Sequence, residues 1–128
     1  AAIHDGARPL VTPEVFARCI EAARNCGAAT AAVPVKDTIK LADEAGRVLD
    51  TPDRSRLWAV QTPQIFDRER YLRAAEEVER RGLSCTDDCQ LFEAMGWEVQ
   101  LVMGEYRNLK LTTPEDFLAA GAYLEGIK

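Results

Sequence analysis

Apolar and polar positions along this chain follow two periods in turn. Val15, Phe16, Cys19, Ile20 and Ala23 recur at helical spacing and predict an amphipathic helix. Thr12-Pro13-Glu14 opens it with a hydroxyl cap, a first-turn proline and an acid at the positive helix end. Gly27 closes it. Residues 28–35 are small and β-branched and read as a buried strand. Residues 37–42 then alternate, residues 43–47 form a turn, and Val48-Leu49-Asp50 returns. This predicts a β-hairpin with few large apolar residues, marginal by itself. Three accounts fit it: a solvated flap, a hairpin packed on its own domain, or an arm that pairs with another subunit.

Residues 57–60 read as a further buried strand, followed by a turn at Gln61-Thr62-Pro63-Gln64. Asp67 caps a helix over residues 68–81, closed by Gly82. Thr86-Asp87-Asp88 opens a helix through Met95, closed by Gly96. Residues 97–103 alternate as a strand, residues 108–111 form a short one, and Thr113-Pro114-Glu115 caps a last helix to about residue 124. Helices alternating with strands predict an α/β fold with a mainly parallel sheet.

Composition narrows the function. The 128 residues suit one domain, and 47% hydrophobic with 29% charged residues can form a core. A net charge of -5 argues against non-specific binding to nucleic acid or an anionic membrane. No apolar run approaches the roughly 20 residues of a membrane helix. The four cysteines, Cys19, Cys26, Cys85 and Cys89, form no C-x-x-C pair, and His4 is the sole histidine, which argues against a zinc site. Buried free thiols in a reducing cytoplasm are the expectation.

The chemistry concentrates at the start, Ile3-His4-Asp5-Gly6-Ala7-Arg8-Pro9. A short apolar strand ending in Asp and then turning is where α/β sheets place ligand chemistry. No Gly-rich phosphate loop precedes it, so the chain is expected to be the later part of a longer nucleotide-using domain. From spacing alone, Asp5 and Arg8 read as a structural pair pinning the turn. Arg54, beside Asp53 and Arg56, reads as a solvated charged cluster. Thr86 reads as a helix cap, and Lys110 as a lysine facing either solvent or a polar site.

The ordered segments HDGARP (4–9), VPVKDTIK (33–40), DRSRLW (53–58), QTPQ (61–64), TDD (86–88) and GEYRNLKLTTPED (104–116) change that balance. Together they resemble the 2-C-methyl-D-erythritol 4-phosphate cytidylyltransferases of non-mevalonate isoprenoid synthesis, across the whole chain. The resemblance implies a Rossmann-like nucleotidyltransferase fold, with residues 1–128 as the C-terminal part of a single domain. It implies a cytoplasmic homodimer whose hairpin arm, about residues 35–57, reaches into the partner. It also implies transfer of CMP from CTP to methylerythritol phosphate with release of pyrophosphate, supported by Mg²⁺.

By that resemblance Arg54, delivered from the other subunit, and Lys110 hold the acceptor phosphate. Asp5 and Thr86 orient the polyol, and Asp5 is the candidate contact to the metal. Arg8 binds phosphate or orients Asp5, Thr38 belongs to the arm, and Thr62 serves the turn or the floor of the site. His4 is expected to be structural, Lys36 and Lys40 exposed arm residues, and Asn108, Thr112 and Thr113 supports of local structure. The family's Gly-rich loop has no counterpart in these residues, so a chain starting at Ala1 is expected to be inactive alone. The rivals are a ribitol 5-phosphate cytidylyltransferase and a non-catalytic dimerisation fragment.

Overall fold

The interior strand of the sheet is made almost wholly of small residues. β2 (Ala28–Pro34, sequence AATAAVP) is buried along nearly its full length, because elements cover both of its faces and both of its edges. The computed structural model describes residues 1–126. In it β2 pairs antiparallel with β5 (Trp58–Phe66) and parallel with β6 (Gln100–Met103). β1 (Ala2–Ile3) pairs antiparallel with the other edge of β5, giving the order β1-β5-β2-β6. Three of the four strands therefore point the same way, and β5 alone runs against them.

Alternation along β2 sends its side chains to opposite faces. Ala29 and Ala31 meet α1 (Pro13–Cys26) through Val15, Cys19 and Ala23, with Ile65 beside them. Ala28 meets Phe66, Cys89 and Phe92 on the opposite face. There α3 (Cys89–Ala94) covers the sheet, and α2 (Arg68–Arg81) packs on it through Ala74, Val78 and Leu91. The alanines let both helical layers approach closely. Burial pushes the Cys19 thiol up to about 11 and the Cys89 thiol to about 12, which suits inert core thiols. All four cysteines are free.

Several ends fall where local chemistry predicts. The Asp67 side chain accepts from the Arg70 N–H, and Gly82 closes α2 in the left-handed region. Thr113 and Asp116 form a capping box at the start of α4 (Pro114–Leu124). Thr12 sits at the N-cap of α1, yet its hydroxyl donates to Glu105 Oε1 and not to its own helix.

Four expectations about the strands need correction. Gln61-Thr62-Pro63-Gln64 is no turn: β5 runs through it to Phe66. The pairing jumps from Thr30↔Gln64 to Ala32↔Val60, so β5 carries extra residues there as a bulge. Pro63 has no N–H to give to the ladder, which is why the segment looks like a strand breaker in sequence. The buried half of β5 is the later one, since Ala59 and Val60 are exposed and residues 63–66 are buried. Residues 108–111 form a loop and not a strand, and the strand expected from residue 97 starts only at Gln100.

The hairpin exists as a separate two-stranded sheet, β3 (Leu41–Ala42) with β4 (Val48–Asp50). Its turn is closed by Asp43, whose Oδ1 accepts from the N–H groups of Ala45 and Arg47. Every residue from 37 to 51 is exposed.

Candidate active site

β1 ends at Ile3, and the chain turns at once. The Arg8 N–H donates to the Asp5 carbonyl, and the Ala7 N–H donates to Asp5 Oδ1 at 2.9 Å. This short-range turn explains the spacing of Asp5 and Arg8. The bulge of β5 lies beneath it. Thr62 Oγ1 accepts from the Asp5 N–H at 3.0 Å and lies 2.9 Å from His4 Nδ1. His4 Nε2 donates to the Arg8 carbonyl at 3.0 Å, since a carbonyl can only accept. His4 is thus a structural clip across the turn, as the sequence suggested. Thr62 is the floor of the turn.

The loop after β6 completes the group. The Leu111 N–H donates to the Ala7 carbonyl at 2.8 Å, which lays residues 104–112 beside the Asp5 turn. Lys110 Nζ then stands 3.2 Å from Asp5 Oδ2, with about half of its side chain exposed. Arg8 Nη1 donates to the Asn108 carbonyl at 2.7 Å. Burial pulls the Arg8 pKa below its ordinary value, against the opposing pull of Asp5. Its Nε is buried with no hydrogen-bond partner among the described residues.

Beneath these groups lie two amides that sequence reasoning passed over or undervalued. Asn108 is fully buried, and its Nδ2 donates to Gln61 Oε1 at 3.1 Å and to the Thr62 carbonyl at 2.8 Å. Gln61 Nε2 donates to the Glu105 carbonyl at 3.0 Å. The bulge and the loop are therefore joined by side-chain amides. A Cβ on Gly104 would lie 2.5 Å from Gln61 Oε1, so glycine is what lets this amide pass. The available signal was the pair of glutamines flanking Thr-Pro at the edge of an apolar run.

Among the described residues Thr38 and Arg54 make no direct hydrogen bond to this group. The Thr86 segment reaches it through Gln64, whose Nε2 donates to the Gln61 carbonyl at 3.3 Å and to Asp87 Oδ2 at 3.5 Å. Thr86 is no cap: its hydroxyl and N–H both donate to Gln90 Oε1, and Asp88 occupies the N-cap of α3. The Asp87 carboxylate accepts from the Gln90 N–H in its place. Thr38 is exposed on the arm. Arg54 lies at the arm's root, where its Nη1 donates to the Lys36 carbonyl at 2.6 Å.

The arrangement offers a half-exposed ammonium, a carboxylate beside it and a guanidinium behind. Lysine can take an anion, and the carboxylate can accept from hydroxyls. The Ala7 N–H first and Lys110 second hold the Asp5 carboxyl below its ordinary pKa. As pH falls, the unfolded chain takes up this proton first, near the ordinary value of about 3.9. The pairing's stabilisation is thus complete above that value and is lost as pH falls through the lower folded value. Asp5→Asn should make stability less acid-sensitive below about pH 4. Urea unfolding at a series of pH values checks this, and an unchanged acid limb would overturn the assignment.

Among the described residues, no three His, Cys, Asp or Glu side chains group as a metal site. Both carboxylate oxygens of Asp5 are already engaged, one by the Ala7 N–H and the other by Lys110. These residues do not by themselves fit a protein-held metal. No described helix is long and apolar enough to cross a membrane.

The family model described as 2-C-methyl-D-erythritol 4-phosphate cytidylyltransferase matches residues 1–126. The protein of that name from Desulforamulus reducens is 53% identical over 123 residues, covering 96% of this chain and 53% of its own length. That of Caldanaerobacter subterraneus is 54% identical over 123 residues, covering 96% of this chain and 54% of its own. A crystal structure of 4-diphosphocytidyl-2C-methyl-D-erythritol synthase from Anaerococcus prevotii superposes with a TM-score of 0.88 at 40% identity, covering 97% of this chain and 57% of that one. The cytidylyltransferase of Thermus thermophilus gives 0.86 at 38%, covering 97% and 61%. The chain thus spans about half the length of the curated relatives it matches. These neighbours share the α/β arrangement, and with it the Rossmann-like nucleotidyltransferase fold.

Proposed function

This chain belongs to the 2-C-methyl-D-erythritol 4-phosphate cytidylyltransferase family, and from that premise we propose that it carries the acceptor side of an active site joining CTP to methylerythritol phosphate. An oxygen of the acceptor phosphate attacks the α-phosphorus of CTP. The bond from that phosphorus to the bridging oxygen breaks, and pyrophosphate leaves with the electron pair. The protein's part is to hold two anions in line and offset their charge.

The observation that carries this reading is the Asp5–Lys110 pair at 3.2 Å, brought together from the two ends of the chain. Lys110 holds the acceptor phosphate, and Asp5 accepts from the polyol hydroxyls. Arg8, anchored on the Asn108 carbonyl, keeps the turn in place and adds positive charge behind it. Thr86 orients the polyol from the segment before α3. Mg²⁺ is expected in this reading only as a companion of CTP, where it would supply further charge neutralisation. A cytoplasmic setting agrees with the four free thiols.

Arg54 reaches a site by way of a second copy. Ile39, Leu41, Val48 and Leu49 are all exposed on the arm, an apolar surface that a homodimer would cover. Arg54→Ala in the intact enzyme should raise the acceptor KM about tenfold or more and leave CTP binding nearly unchanged. Steady-state kinetics with each substrate varied checks this. Equal losses for both substrates would remove Arg54 from the acceptor. Mixing Arg54→Ala chains with Lys110→Ala chains should restore part of the activity, because one site of the mixed dimer keeps both groups.

A further inference from the structure

The loop that presents Lys110 also grips the root of the arm. Tyr106 lies in that loop, two residues before Asn108. Its hydroxyl donates to the carbonyl of Pro34, the last residue of β2, at 2.7 Å. Lys36 Nζ lies over its ring, 3.9 Å from the centre. Arg54 Nη1 in turn donates to the Lys36 carbonyl at 2.6 Å. The Val35 N–H donates to the Leu57 carbonyl at 3.2 Å and ties the outgoing chain to the returning one. A continuous set of contacts therefore runs from Tyr106 through Lys36 to Arg54, and Tyr106 stands on the same loop as the buried Asn108.

Beyond this point the arm is held by little but itself. Lys40 Nζ donates to Thr51 Oγ1 at 2.9 Å, and Asp43 closes the turn, both contacts being internal to the arm. An arm of this kind is aimed at its root. The seven residues from Lys36 to the turn span about 20 Å at strand rise, so a tilt of about 10° moves the tip by about 3–4 Å. The same rotation at the root re-aims the Arg54 side chain anchored there, and a shift of about 1 Å at a reacting group can cost about 100-fold in rate.

We propose that Tyr106 is a positioning residue for the arm, so that the loop shaping one copy's acceptor site also sets the arm that completes the other's. The hydroxyl fixes the end of β2, and the ring holds the side chain of Lys36, the residue whose backbone carbonyl orients Arg54. This rests on the reading that the arm crosses to a second copy.

Mixed dimers of the intact enzyme separate the two effects. When Arg54→Ala chains are mixed with Lys110→Ala chains, the working site takes Lys110 from the first chain and Arg54 from the second. Tyr106→Ala placed on the Lys110→Ala chain, which donates the working arm, should lower the recovered activity about tenfold. Tyr106→Phe there keeps the ring and should lower it about threefold. The same substitutions on the Arg54→Ala chain should change activity less than about twofold. Melting curves of each variant establish that it is folded. Loss that follows the Arg54→Ala chain, or is equal from either chain, would show that Tyr106 serves only its own loop and would overturn the proposal. No recovery with Tyr106 intact would instead defeat the crossing arm, and the inference with it.

Discussion

Lys110→Ala should lower kcat/KM for the acceptor about 100-fold, mostly through KM, while CTP binding and the melting temperature stay nearly unchanged. The asymmetry follows from where the ammonium sits. About half of the Lys110 side chain is in solvent, and its partner Asp5 is also partly exposed. A pair of that kind, open to solvent and screened by it, contributes little to stability. A phosphate held by few cations has no such reserve, and loss of one leaves its charge uncompensated. Lys110→Arg should recover only part of the loss, because a planar fork replaces a compact point charge. An acceptor KM unchanged in Lys110→Ala would take this residue out of the acceptor site.

Asn108→Ala should destabilise the fold by about 3 kcal/mol, enough to lower the melting temperature by about 10 °C. Asn108 is fully buried, and its amide donates to both Gln61 Oε1 and the Thr62 carbonyl. Alanine leaves two acceptors without a donor and a small void among them. The Oδ1 atom has no hydrogen-bond partner among the described residues, so its removal adds little. Asn108→Asp should be worse, because it turns an oxygen toward two acceptors and buries a charge. Thermal and urea unfolding test this together. A shift below about 2 °C for Asn108→Ala would mean that the amide network is not what joins the bulge to the loop.

These two residues lie two apart on one loop and have opposite expected effects, one on binding and one on folding. The difference is burial. Lys110 faces the solvent mouth beside Asp5, while Asn108 lies under the turn and meets the β5 bulge. Tyr106 between Glu105 and Arg107 faces a third way, toward the arm. A loop of irregular backbone can point successive residues in unrelated directions, which a strand cannot. Expecting a short strand at residues 108–111 assigned Lys110 a simple inward or outward choice, and that framing missed Asn108 as the structural centre.

What the sequence determined by itself is the set of features written in neighbouring residues. Asp67 and Gly82 bound α2, Thr113 with Asp116 opens α4, and Asp43 with Gly46 turns the arm, each through bonds spanning a few residues. The alanine run of β2 announced a buried strand because only small side chains suit two tightly covered faces. The Asp5–Arg8 turn was equally local, and the ordered motifs identified the family. The tertiary structure decided whatever depended on distant partners. Gln61–Gln64 carried turn residues, yet β1 and β2 on either side kept it in the sheet as a bulge. Asp5 met Lys110 only because the Leu111 N–H reached the Ala7 carbonyl, across almost the whole chain. Short-range hydrogen bonds leave a pattern in sequence because chain connectivity supplies the partner; a buried donor such as the Asn108 amide finds its acceptors only after folding has excluded water from them.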